Sequence, residues 1–155
     1  LTSLPVTEVR NTQLAPHGAV TGAQALAVRI RAGGRPMWVV STHVQPTDTR
    51  TDGTIAQARQ ITRFASGLTR DGAGVVLAGD FNFLPGSLSF QTVLDGGFDD
   101  ALAPHRPVPT YSASNPTEEI DHVFVTPDLK ILSSGVWKSE ASDHLPVHVT
   151  VKVGK

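Results

Sequence analysis

The nine residues Val75-Val76-Leu77-Ala78-Gly79-Asp80-Phe81-Asn82-Phe83 decide the fold. A short apolar run bounded by turn-forming residues is the mark of a strand buried on both faces. This one ends in a carboxylate and, two residues on, a carboxamide. Side chains two apart on a strand point the same way, so Asp80 and Asn82 project together if the backbone stays extended. On its own, such an acid-x-amide step is also ordinary turn chemistry. An acid and an amide buried without partners would cost several kcal/mol. The pair is therefore expected at the mouth of a site, where a metal, a water or a phosphate completes its contacts.

The bulk of the chain sets limits on what that site serves. A length of 155 residues suits one domain with a proper core. The net charge of −1 supplies no global basic field, so any polyanion must be held by a local site or a metal ion. The absence of cysteine excludes disulfides and thiolate metal sites, and fits a cytosolic or an exported protein. No apolar stretch approaches the roughly 20 residues of a membrane span, and no signal peptide is visible. A start at Leu1 suggests a processed protein or a fragment, with a slight lean to export.

Outward from the central strand, the elements alternate. Ala25, Ala27 and Val28 to Ile30 read as a strand, Gly33-Gly34 as a tight reversal, and Met37 to Ser41 as a second strand ending in Thr42-His43. The expected hairpin joins Gln24–Arg31 to Pro36–His43. A polar loop, Gln45 to Gly53, follows. Ile55, Ala58, Ile61, Ala65 and Leu68 then recur at helical spacing, predicting an amphipathic helix over Thr54–Leu68 closed by Asp71-Gly72. Arg59 and Gln60 fall to its solvated face or to structural contacts. Strand, helix, strand is a crossover, which makes its two strands parallel. Leu1 to Gly18 shows no clear period, and Pro5, Pro16 and Gly18 mark it as irregular or an edge.

Downstream, Ser87 caps a short helix around Phe90, Val93 and Leu94, closed by Gly96-Gly97. Ala103 to Glu119 is a long Pro-, Ser- and Asn-rich loop around Thr110-Tyr111, and long loops in compact domains are often functional. Ile120 to Thr126 reads as a strand with Ile120, His122 and Phe124 on one face and Asp121, Val123 and Val125 on the other. Leu129 to Trp137 and Leu145 to Val153 are the last strands, the latter carrying Val147, Val149, Val151 and Val153 on one face. Trp38 and Trp137 are assigned to the core, His122 and His148 to ordinary strand positions, and His17 and His105 to loops. There is no repeat and no linker, so residues 1–155 read as a single α/β domain.

Four polar clusters stand where an apolar strand meets a loop: Thr42-His43, Asp80 with Asn82, Asp121, and Asp143-His144. Asp80, Asn82 and Asp143 are hard oxygen ligands suited to Mg²⁺, Mn²⁺ or Ca²⁺. His43 and His144 exchange protons near neutral pH or, as cations, hold a phosphate oxygen. A carboxylate behind an imidazole fixes its tautomer, and Asp121 is the candidate for that role towards His144. Taken together, these groups suit attack of water on a phosphate ester, where catalysis is mostly positioning and charge neutralisation.

In order and spacing, Thr42-His43, Gly79-Asp80-Phe81-Asn82, Ile120-Asp121-His122-Val123-Phe124-Val125 and Ser142-Asp143-His144-Leu145-Pro146-Val147 resemble the endonuclease/exonuclease/phosphatase superfamily. The DNase I-like nucleases, inositol-polyphosphate phosphatases and neutral sphingomyelinases belong to it. The resemblance runs from about Ala19 onward. It implies a four-layer α/β/β/α sandwich and divalent-metal-dependent hydrolysis of a phosphoester. It implies further that Asp80 positions or activates the water and shares the metal with Asp143, and that Asn82, His43 and His144 bind the phosphate. Asp121 would orient His144. Thr110 sits where the family's substrate loop often carries a polar contact, or in a plain surface loop. Substrates in such a family include nucleic acid, phosphoinositide and phospholipid headgroups, as monoesters or diesters.

The chain departs from that pattern at its start. The family's Asn on the first strand and its metal-binding Glu have no counterpart, since Glu8 is the only acid before Asp48 and stands in the wrong context. The sequence thus resembles the larger, C-terminal portion of the domain, lacking its N-terminal strands, with an upstream segment as a possible completing partner. The competing expectation is a catalytically silent binding or interaction domain that keeps the fold.

Overall fold

Apolar side chains on both faces of the central strands account for the layering. The computed structural model describes residues 2–16, 22–46 and 54–154; His17 and residues 47–53 of the polar loop lie outside them. Among the described residues eight strands form: β1 (Val6–Gln13), β2 (Gln24–Ala32), β3 (Arg35–His43), β4 (Gly74–Asp80), β5 (Asp99–Asp100), β6 (Asp121–Val125), β7 (Leu129–Val136) and β8 (Val147–Val153). The helices are α1 (Ile55–Gly67) and α2 (Leu88–Asp95). Six strands make one sheet in the order β1-β2-β3-β4-β6-β5, and β7 pairs with β8 in a second.

Alternation along β3 and β4 divides the core in two. Trp38, Val40, Val75 and Leu77 face α1 and α2 and pack with Ala58, Ile61, Ala65, Phe90 and Val93. Met37, Val39, Val76 and Ala78 face the other way, against Leu129, Ile131 and the four valines of β8. Each fully buried Leu, Val or Phe contributes about 1.5–3 kcal/mol, so both faces of the sheet are strongly specified. Among the described residues, three layers of the expected sandwich are present: helices, large sheet and small sheet.

The crossover expectation holds, since β3 and β4 are parallel with α1 between them. Ser87 caps α2 by accepting from Phe90 N at 3.1 Å. Gly72 ends the 3-10 turn that follows α1 with a left-handed φ of 73°. Within the segment expected to be irregular or an edge, Val6–Gln13 forms an edge strand, β1, antiparallel to β2 and interrupted by a bulge near Val6 and Glu8. Its largely exposed side chains carry no clean period, which is why the sequence alone left it between irregular and edge. Gln60 makes a structural contact, its Oε1 accepting from Ala15 N at 2.6 Å.

One core expectation is corrected. Trp137 is 61% exposed and stacks on His148 at 4.4 Å instead of entering the core, because it lies just beyond β7. His122 lies on a strand, β6, as expected, and is completely buried among Phe81, Phe83 and Phe90 on the helix side of the sheet.

Candidate active site

Register builds the site. His43 lies opposite Asp80 across the parallel β3–β4 pair, and Asp80 lies opposite Asp121 across the antiparallel β4–β6 pair. Alternation puts all three side chains on the face shared with the small sheet, since Val39, Val76, Ala78 and Val123 belong to that face. A row of imidazole, carboxylate and carboxylate therefore crosses three neighbouring strands at one end of the sheet. The loop before β8 brings in His144, whose Nδ1 is 2.8 Å from Asp121 Oδ2 and whose Nε2 is 3.9 Å from Asp80 Oδ2. His43 Nε2 approaches the same Asp80 oxygen at 3.5 Å.

The close approach of β3 and β4 needs Gly79, because a Cβ there would collide with the Thr42 carbonyl oxygen. Extended backbone then stops at Asp80. Asn82 adopts φ 50°, a left-handed conformation that asparagine tolerates better than most residues. Asp80 Oδ1 accepts from Asn82 N at 2.9 Å, so a turn, and not a continued strand, joins the two side chains. Asn82 is 4% exposed, and its Nδ2 donates to Val44 O at 2.8 Å, tying the end of β3 to the Asp80 turn.

Electrostatics set the protonation of the cluster. Burial pushes the Asp80 carboxyl above its ordinary value. The Asn82 N–H opposes that, neighbouring Asp121 adds repulsion, and His43 and His144 offset it only in part. For His144, partial burial works against the cation. The hydrogen bond and charge of Asp121, with Asp80 and Asp143 behind, outweigh burial and raise its pKa. An Nδ1–H held by Asp121 leaves Nε2 directed towards Asp80.

The long loop docks onto this pair. Thr110 is fully buried and its Oγ1 donates to Asp121 Oδ2 at 2.5 Å, which leaves no room for the substrate contact considered for it. Thr110 O accepts from Leu145 N at 2.8 Å, and the Tyr111 ring lies 4.8 Å from the His144 ring. Ala113 N donates to Asp143 O at 2.7 Å. Tyr111 had no distinguishing signal in the sequence beyond its place beside Thr110.

A buried network beneath the site also escaped the sequence. His122 Nε2 donates to Phe83 O at 2.8 Å, so Nδ1 is the acceptor for Arg106 Nη2 at 3.1 Å. Arg106 spans Asp100 at 2.7 Å and Glu119 at 2.6 Å and lies over the Phe90 ring. Burial, aided by the guanidinium, lowers the His122 pKa to about 4. A lone arginine in a proline-rich loop was the only sequence signal for this anchor.

Asp80, Asp121 and His144 offer ligand atoms that all lie within 4.8 Å of one another, a spacing that could hold a metal ion. Two carboxylates in register, one with a raised pKa, supply the hard oxygen donors and the uncompensated negative charge that a divalent cation requires. Asp143, expected at the metal, is not part of this group; its exposed carboxylate accepts from Ser142 Oγ at 3.2 Å.

The chain belongs to the endonuclease/exonuclease/phosphatase family, whose model matches residues 1–144. Its fold is that of the family's solved structures. A mannosyl-6-phosphatase from Bacteroides thetaiotaomicron VPI-5482 superposes with a TM-score of 0.82 at 20% identity, covering 96% of this chain and 67% of that one. A family protein from Beutenbergia cavernae DSM 12333 gives 0.74 at 23%, covering 97% and 46%. The human Nocturnin catalytic domain with bound sulfate gives 0.71 at 17%, covering 95% and 60%. The chain thus spans about two-thirds or less of the length of these structures. No curated protein sequence matches it. No helix among the described residues is long and apolar enough to cross a membrane.

Proposed function

We propose that this chain carries the phosphoester-hydrolysing centre of a divalent-metal-dependent enzyme, a phosphatase, phosphodiesterase or nuclease in which water attacks phosphorus. One observation carries the reading. His144 is held at 2.8 Å by Asp121 while its other nitrogen faces Asp80 at 3.9 Å, at the end of an in-register His43–Asp80–Asp121 row. An imidazole oriented by one carboxylate towards a second is the arrangement that proton transfer and anion binding at one point require. Membership of the family supports the same reading.

In this reading Asp80 orients and deprotonates the attacking water. His144 binds a phosphate oxygen as a cation, His43 contacts a second, and Asn82 meets the phosphate from the floor while bracing the loop. Asp121 orients His144, and Thr110 acts through Asp121 as a positioning residue. Mg²⁺, Mn²⁺ or Ca²⁺ would be held by the carboxylates of Asp80 and Asp121, with Asp143 as a further carboxylate donor and the His144 imidazolium left to the phosphate, and it would supply neutralisation of phosphate charge.

The test is hydrolysis of 4-nitrophenyl phosphate and bis(4-nitrophenyl) phosphate by the purified protein with Mg²⁺ or Mn²⁺. Turnover that EDTA abolishes, and that Asp80→Ala and His144→Ala each reduce at least a hundredfold, is expected. Undiminished turnover in both variants would overturn the assignment. Absence of both turnover and metal binding by calorimetry would favour a silent interaction domain.

A further inference from the structure

Beside His144 lies a second feature, a groove of about 1140 Å³ between the tip of the Thr110 loop and the segment leading into β8. Ser112 and Ser114 line one wall, and Lys138, Ser139, Ser142 and Asp143 the other. Ser139, Ser142 and Leu145 also line a smaller hollow of about 310 Å³ that reaches Asp121 and His144. Groove and catalytic cluster are therefore continuous. The two walls are joined where Ala113 N donates to Asp143 O at 2.7 Å and Leu145 N to Thr110 O at 2.8 Å, so the groove is a built feature of the docked loop.

We propose that this groove binds the alcohol part of the substrate, and that this part is a neutral, polyhydroxylated group, making the substrate a sugar phosphate. The inference rests on the hydrolytic reading of the neighbouring cluster. Charge decides the class: among the described residues the groove is lined by one cation, Lys138, against two anions, Glu140 and Asp143. A nucleic-acid strand or a multiply phosphorylated headgroup brings several phosphates and needs several cations to neutralise them. Among the described residues that line it none is aromatic or an arginine, so the groove walls themselves offer a base no stacking platform. A lipid tail would meet serine hydroxyls that it cannot pair. A sugar satisfies both kinds of surface. Its hydroxyls match serine groups that can donate or accept, as Ser112 and Ser114 already do with each other at 3.4 Å, and its C–H face suits Leu145 and Pro116. The volume takes a mono- or disaccharide with room for water.

The experiment has two readouts on the purified protein with Mg²⁺. Turnover is compared for mannose 6-phosphate, glucose 6-phosphate, 4-nitrophenyl phosphate, a single-stranded oligonucleotide and vesicles carrying phosphatidylinositol 4,5-bisphosphate. Binding of the two sugar phosphates is measured by calorimetry in the His144→Ala protein. The expected result is a kcat/KM at least tenfold higher for a sugar phosphate than for any other probe. Lys138→Ala and Ser112→Ala should each raise its KM at least fivefold and shrink its advantage over 4-nitrophenyl phosphate. Preference for the oligonucleotide or the vesicles, or equal losses on all probes in both variants, overturns the groove assignment and leaves the hydrolytic centre intact. Saturable sugar-phosphate binding that both variants weaken, without turnover of any probe, upholds the groove and overturns the hydrolytic reading. Neither binding nor turnover overturns both.

Discussion

Thr110 and His144 share one oxygen. Asp121 Oδ2 accepts from Thr110 Oγ1 at 2.5 Å and from His144 Nδ1 at 2.8 Å, so the loop hydroxyl and the imidazole are joined through a single carboxylate atom. The aim of the imidazole thus depends on a threonine that is itself fully buried.

That dependence is testable by substitution. Thr110→Val keeps the shape of the side chain and removes the donor, at a cost of about 1.5–3 kcal/mol for a hydrogen bond to a charged group. Turnover should fall by about ten- to a hundredfold, mainly in kcat, and Thr110→Ser should restore most of it. A Thr110→Val enzyme with wild-type kcat would show that Asp121 needs no second donor.

The proton on His144 gives an independent handle. Asp121, Asp80 and Asp143 outweigh desolvation and hold the imidazolium above its ordinary pKa of 6.5. The cation should persist as pH rises past that point and be lost only through the raised value. Titration of the His144 ring by NMR in metal-free protein checks this. Asp121→Asn removes the largest favourable contributor and should bring the midpoint down; a midpoint below 6.5 in the wild type would contradict the assigned contacts.

His122 predicts the opposite trend, and in stability. The fold holds it neutral with a pKa of about 4 against 6.5 unfolded. Between those values the unfolded chain binds the extra proton, so stability rises with pH and is lost as pH falls from 6.5 towards 4. Its full loss amounts to ~3 kcal/mol. Protonation would set a hydrogen on Nδ1 against the Arg106 guanidinium. Urea unfolding at pH 7 and pH 5 should show about 2 kcal/mol of that loss, and a His122→Asn protein, although weaker at both pH values, should show a flatter dependence. Equal slopes would place the titrating group elsewhere.

Gly79 tests the backbone that carries the site. An added methyl would strike the Thr42 carbonyl oxygen, part of the backbone of β3, so neither neighbour can yield by a side-chain rotation. Gly79→Ala should cost at least about 1–3 kcal/mol, as overpacking does in a closed core. A melting temperature unchanged from wild type would show that the strands can part.

What the sequence made legible was whatever periodicity encodes. Val75–Asp80 was readable because its apolar run has no polar side, and the alternation of Ile120 to Val125 correctly placed Asp121 and His122 on opposite faces. The convergence of His43, Asp80, Asp121 and His144 followed from their shared place at strand ends. Asn82 turned away from the extended path because the Asp80 carboxylate captures its N–H, a local event that no alternation reveals. Thr110, Arg106 and Glu119 act through contacts made only when the loop folds back, and a proline-rich loop carries no period from which to read them. Trp137 misled because aromatic size argues for burial while its position just past a strand end decides otherwise.

The row His43–Asp80–Asp121 has a consequence for how such an enzyme changes substrate. Adjacent strands are separated by about 4.8 Å, a spacing fixed by backbone hydrogen bonding. The distances between these three groups are thus set in steps of the sheet and cannot be tuned by small drift. A one-residue slip of any one of the three strands would turn that strand's member of the row to the opposite face. Chemistry here is quantised by the lattice of the sheet. Adaptation must happen in the one continuous variable nearby, the length and composition of the loops that stand over it.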